Sequence, residues 1–95
     1  MITIEELINA LKKIFKAVPP SSVDIAITDI RNYEYTCYIE GEKKPRIVYE
    51  VHFIAVIFSK MTDGTWQGAK LGDFEATVTE YEDGDIDVKL EKTSG

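Results

Sequence analysis

Apolar side chains recur along this chain in two rhythms, and the change of rhythm divides it. Up to position 18 they fall at helical spacing: Ile4, Leu7, Ile8, Leu11, Ile14, Phe15 and Val18 form one stripe. Thr3 and Glu6 make a T-x-x-E capping box ahead of it, with Ile2 and Leu7 placed for a hydrophobic staple. Lys12, Lys13 and Lys16 lie toward the far end, where cations complement the helix dipole. Pro19-Pro20 ends the run, because the residue before a proline avoids the α region. The spacing predicts a helix over about 3–18.

Beyond Ser22 the rhythm is two. The dominant stretch is Arg46 to Phe58, RIVYEVHFIAVIF, rich in β-branched and aromatic residues with no Gly or Pro inside, and it reads as one long central strand. Ile47, Tyr49, Val51, Phe53, Ala55 and Ile57 share one face. The other face starts polar with Arg46, Glu50 and His52, then turns apolar at Ile54, Val56 and Phe58.

Two shorter alternating runs precede it. Val23, Ile25 and Ile27 alternate with Asp24, Ala26 and Thr28; Tyr33, Tyr35, Cys37 and Ile39 alternate with Glu34, Thr36, Tyr38 and Glu40. Reading Ile30-Arg31-Asn32 as a three-residue loop, with Asn32 left-handed, pairs Ile27 with Tyr35, Ile25 with Cys37 and Val23 with Ile39. The turn Gly41–Pro45 then sets Ile39, Cys37, Tyr35 and Tyr33 opposite Ile47, Tyr49, Val51 and Phe53. Glu40 meets Arg46 and Glu34 meets His52 on the polar face. Farther on, Thr62-Asp63-Gly64 and Glu82-Asp83-Gly84 read as three-residue hairpin loops. They place Ile57 beside Ala69, Ala55 beside Leu71, Val78 beside Val88 and Ala76 beside Leu90. A phase change at Gly72 reads as a bulge or bend.

The expected class is α+β: one N-terminal amphipathic helix packed on a strongly bent antiparallel meander of five to six strands over about 22–92, with a frayed tail at 93–95. Helix first, then long bent strands, resembles a cystatin-like roll in architecture, and no motif ties the chain to a family.

Ninety-five residues, 44% of them hydrophobic, suit a single domain over 1–95 with one core and no staples. Area scaling predicts about 65% of the unfolded chain's surface buried. The lone Cys37 excludes an intrachain disulfide. An acidic first turn in place of a signal peptide's bases, with no membrane-spanning apolar run, predicts a soluble cytoplasmic protein. The net charge of −6 is concentrated between Asp73 and Lys92, which hold eight acids and two bases; the rest is neutral. That balance argues against nucleic-acid phosphate as partner, since the basic cluster of Lys43, Lys44 and Arg46 at one turn is too small to serve.

Three places carry candidate chemistry. His52, facing Glu34, would be a general base with its orienting carboxylate, but no nucleophile accompanies it, so no catalytic residue is assigned. Asp83-Gly84-Asp85-Ile86-Asp87 has the composition of a calcium loop without its terminal bidentate Glu or flanking helices, so it reads as a charged turn, and no metal or cofactor is assigned. Ile54, Val56, Phe58 and Trp66 make an apolar patch of the kind that marks a partner. The expectation is therefore a non-enzymatic protein–protein interaction domain, a small acidic inhibitor or adaptor or a self-assembling homodimer. It would dock on a protein through that patch, with the acidic hairpin of Glu80, Glu82, Asp83, Asp85 and Asp87 steering a basic surface. Small phage-encoded inhibitors and tail-assembly factors share the profile. The alternative is a small-molecule-binding or catalytic roll with a pocket lined by Tyr33, Tyr35, Tyr49 and Phe53.

Overall fold

Thr3 caps the helix through a reciprocal pair of bonds. The Glu6 amide donates to the Thr3 hydroxyl at 3.1 Å, and the Thr3 amide donates to the Glu6 carboxylate at 3.4 Å. Helix α1 spans Ile4–Lys12 in the computed structural model, which describes residues 2–16, 19, 22–34 and 40–94. Leu7, Ala10 and Leu11 are buried, while Ile4 faces solvent. The helix is shorter than the apolar spacing predicts. After Lys12 the chain tightens into bonds of three-residue span, Ile14 amide to Leu11 carbonyl and Phe15 amide to Lys12 carbonyl, both 3.1 Å. Phe15 then rests edge-on against Phe53 and Phe74, with ring centroids 6.5 and 5.4 Å away. Val18 and Pro20 lie outside the described residues.

The sheet has four strands among the described residues, not five or six: β1 (Val23–Glu34), β2 (Pro45–Lys60), β3 (Trp66–Tyr81) and β4 (Ile86–Ser94). They form an antiparallel meander in the order β1-β2-β3-β4. The difference arises at Ile30-Arg31-Asn32, which is strand and not loop. β1 runs through it and pairs with β2 from Val23↔Ile57 to Glu34↔Ile47. Its change of phase is absorbed by a bulge at Thr28, between Ile27↔Phe53 and Asp29↔His52. The Thr28 hydroxyl donates to the His52 carbonyl there at 3.2 Å.

No described residue other than glycine has positive φ, so Asn32 is not left-handed. Tyr33 therefore faces Val48 and Glu34 faces Ile47, in place of Phe53 and His52. Val23 and Ile25 sit opposite Ile57 and Ala55 instead of Ile39 and Cys37. One continuous ladder along β2 buries both of them beside the middle of the sheet. The expected pairings through Tyr35, Cys37 and Ile39 fall outside the described residues.

Both later turns follow the expected form. Met61 and Tyr81 donate to the carbonyls of Thr65 and Asp85 at 2.7 and 2.9 Å across three-residue loops, and Gly64 and Gly84 take the left-handed conformation at φ of 89° and 91°. Ile57↔Ala69, Val78↔Val88 and Ala76↔Leu90 are the observed registers. Ala55 faces Gly72, because Leu71 is the extra residue of the bulge.

Two layers result. Leu7 and Leu11 of α1 pack on the face of the sheet that carries Tyr49, Val51, Phe53, Ala55, Phe74, Ala76 and Val78. The opposite face of β2 is exposed or half-buried from Glu50 to Phe58 and buried at Val48, between Tyr33 and Thr79. The molecule is long, 57 × 23 × 20 Å, with a radius of gyration of 15.5 Å. A 95-residue domain of ordinary compactness would have about 12 Å. Its surface of 6667 Å2 likewise exceeds the roughly 5,500 Å2 that its mass predicts.

Candidate functional site

The excess length has a local source. The ladder between β1 and β2 stops at Val23↔Ile57, and that between β3 and β4 stops at Asp73↔Ser94. Among the described residues, the hairpin of β2 and β3 from Phe58 to Leu71 therefore has only two strands, and every residue in it is exposed. Two-stranded hairpins are marginally stable in water without a further strand or a covering helix. This one nonetheless presents Phe58, Met61, Trp66 and Leu71 to solvent.

The patch expected from the sequence lies along this arm and its root. Ile54 and Val56 are half-buried, Phe58 is 38% exposed and Trp66 is 66% exposed. All four are on the face away from α1, where no second layer covers them among the described residues. Phe58 faces Gly68 across the ladder, and Trp66 is its diagonal neighbour, opposite Lys60. A β-carbon added at Gly68 would lie 2.9 Å from Phe58 Cε1 and 3.4 Å from Val56 Cγ1. The missing side chain leaves the space that the Phe58 ring occupies. Lys60 and Lys70 border the apolar strip, and Lys70 bonds Asp73 at 3.1 Å.

The acidic hairpin occupies the other end of β3. It is not a bare cluster of carboxylates. Lys43, from the segment before β2, ion-pairs with Asp85 and lies 3.4 Å from Asp83. The Glu82 amide also donates to the Lys44 carbonyl at 3.0 Å, fastening the turn to the same segment. The bond to Asp85 holds the Lys43 ammonium above its ordinary pKa. Asp83 is held below the ordinary carboxylate range, first by the Asp85 amide that donates to it and then by Lys43. Glu80, Glu82 and Asp87 complete the acidic end. A lysine already supplies the cation that the calcium-like composition suggested, and the described residues hold no cluster of three metal-ligating side chains.

His52 meets Glu75, not Glu34, with Nε2 3.1 Å from Oε1 at a half-buried position on the outer face. Thr28, Asp73, Lys92 and Phe53 surround a shallow depression of about 250 Å3 there. The Thr28 hydroxyl donates to the His52 backbone carbonyl and not to the imidazole. The residues expected to line the alternative pocket fall in different places. Tyr49 and Phe53 are packed in the core, Tyr33 is on the outer side of β1, and Tyr35 is outside the described residues. The larger concavity is an open groove of about 630 Å3 between α1 and β4, which the sequence reading missed; β4's uncovered apolar residues were its only signal.

Compared with known protein families, with curated proteins and with solved structures, the chain matches none. No helix among the described residues is long and apolar enough to cross a membrane.

Proposed function

We propose that this is a non-enzymatic protein–protein interaction domain that inserts the Phe58–Leu71 arm into an apolar cleft on another protein, with Trp66 as anchor. The observation that carries this reading is the arm itself, two strands wide and exposed throughout, with an indole at its outer face. Trp is enriched among the few residues that dominate binding energy, and a two-stranded projection gains most from a surface that supplies its missing neighbours. Lys60 and Lys70 beside the strip fit a cleft with an acidic rim. The acidic end, part-neutralised by Lys43, serves long-range steering and solubility.

The test is site-specific photo-crosslinking in extract of the source cells, with the crosslinker at Met61 on the arm or at Lys12 on the helix. The reading expects a discrete adduct from Met61, none from Lys12, and loss of the Met61 adduct in Trp66→Ala. The purified pair should then lose about 30-fold in affinity on that substitution, the equivalent of ~2 kcal/mol. An adduct that survives Trp66→Ala, or arises equally from both positions, contradicts it.

A further inference from the structure

Among the described residues the sheet ends at β4, whose outer peptide groups have no strand beside them. The bond from the Tyr81 amide to the Asp85 carbonyl fixes the parity of the ladder. Thr79–Asp87 and Thr77–Lys89 are then hydrogen-bonded pairs, while Glu80–Ile86, Val78–Val88 and Ala76–Leu90 are not. The peptide N–H and C=O groups of Ile86, Val88 and Leu90 therefore point away from β3, out of the sheet edge. Their side chains lie on the helix-bearing face, where Ile86 and Leu90 are 37% and 39% exposed. Together with Ala10 and Ile14 they line the groove between α1 and β4. Asp87 and Lys89 alternate with them on the other face.

We propose that a second copy of this chain adds to that edge, antiparallel, with Val88 opposite Val88 across a two-fold axis perpendicular to the sheet. The sequence of β4 selects this register. The peptide groups that point outward belong to Ile86, Val88 and Leu90, so these must bond one another. Val88 then bonds Val88, and each Ile86 bonds a Leu90, which makes the helix-side face apolar throughout. The intervening positions set Asp87 of each copy against Lys89 of the other, in the close non-hydrogen-bonded pairing where opposite charges attract most. Sliding the partner by two residues sets Asp87 against Asp87 one way. The other way it sets Lys89 against Lys89 and brings the bulge residue Glu91 into the ladder. A slide of four runs past the end of β4, into the turn before Ile86 one way and through the bulge the other.

In the Val88 register the two helices lie on the same side, and the two grooves merge over one apolar floor. This interface is separate from the arm and leaves Trp66 free.

The test measures mass by sedimentation equilibrium, at low salt, up to about 1 mM protein. Wild type and Trp66→Ala should both approach twice the 10.8 kDa of one chain. Asp87→Lys and Lys89→Asp, each opposing like charges, should weaken association at least tenfold, and the double variant Asp87→Lys/Lys89→Asp should restore it. Val88→Pro removes one outward N–H and no bond to β3, and should be monomeric with an unchanged far-ultraviolet spectrum. Should that variant fail to fold, the charge exchange decides alone. A wild type that stays at 10.8 kDa throughout, or single and double charge variants that associate equally, overturns the proposal.

Discussion

Truncating two aromatic side chains on β2 and β3 should separate the parts of this molecule that hold the fold from the part that projects. Phe53 is 1% exposed. Its ring stacks on Phe74 at 5.3 Å and 16°, and Phe15 meets both rings edge-on. Removing a buried phenylalanine costs about 3–5 kcal/mol, including the cavity left behind. A chain of 95 residues has a total stability of roughly 5–14 kcal/mol. Its unfolding entropy is about 0.2 kcal/mol/K, so Phe53→Ala should lower Tm by about 15–25 °C. Phe53→Leu keeps an apolar side chain in the cavity and should fall between that value and wild type. Trp66→Ala removes a larger ring, but one that is mostly in water, and should change stability by no more than about 0.5 kcal/mol, or about 2–3 °C. Differential scanning calorimetry of the three variants with wild type makes the comparison. A Trp66→Ala loss approaching that of Phe53→Ala would refute the reasoning, since it would mean that the indole is packed.

Other substitutions probe single contacts. Gly68→Ala should displace the Phe58 ring, seen as changed ring-proton shifts of Phe58 and Val56 methyl shifts, with Tm within about 3 °C because the ring is free to swing outward. Thr3→Ala removes the capping box and should cost about 1 kcal/mol, or about 5 °C, with exchange of the first-turn amides accelerated. The Lys43–Asp83 contact should be pH-dependent at both extremes. Asp83 titrates below its ordinary value, so its contribution is full above that value and lost as pH falls through the lowered one; Lys43 titrates above its ordinary value, so its contribution is lost as pH rises through the raised one. By carboxyl NMR titration, Lys43→Met should return Asp83 only part of the way, because the Asp85 amide still donates to it; a complete return would contradict a role for that amide.

Much of the fold could be read from local chemistry. T-x-x-E names the start of α1, and the two Asp-Gly loops fix the registers of β2 with β3 and β3 with β4, because each loop length allows one parity. The error at Ile30-Arg31-Asn32 has a definite cause. A break in alternation has two physical solutions, a turn or a bulge, and the residues themselves do not choose. At Gly72 a bulge was the natural reading, since the strand had to continue toward its partner. Ahead of Tyr33 the same kind of break suggests a turn at Ile30-Arg31-Asn32, whereas the strand continues through a bulge at Thr28 and gains its ladder from β2, far along the chain. The helix end was misplaced for a related reason: Phe15 keeps helical spacing in the sequence but is held by Phe53 and Phe74. The apolar character of Ile54, Val56, Phe58 and Trp66 was legible. Their position on a bare arm was not, since it depends on where β1 begins and β4 ends.

Trp66 is the one tryptophan in the chain, so its fluorescence reports directly on whether the arm is bare. The free protein should emit at long wavelength and be readily quenched by acrylamide, at protein concentrations below and above the self-association range alike. Emission at short wavelength that resists quenching in the free monomer would contradict this, for the indole would then be covered within its own chain.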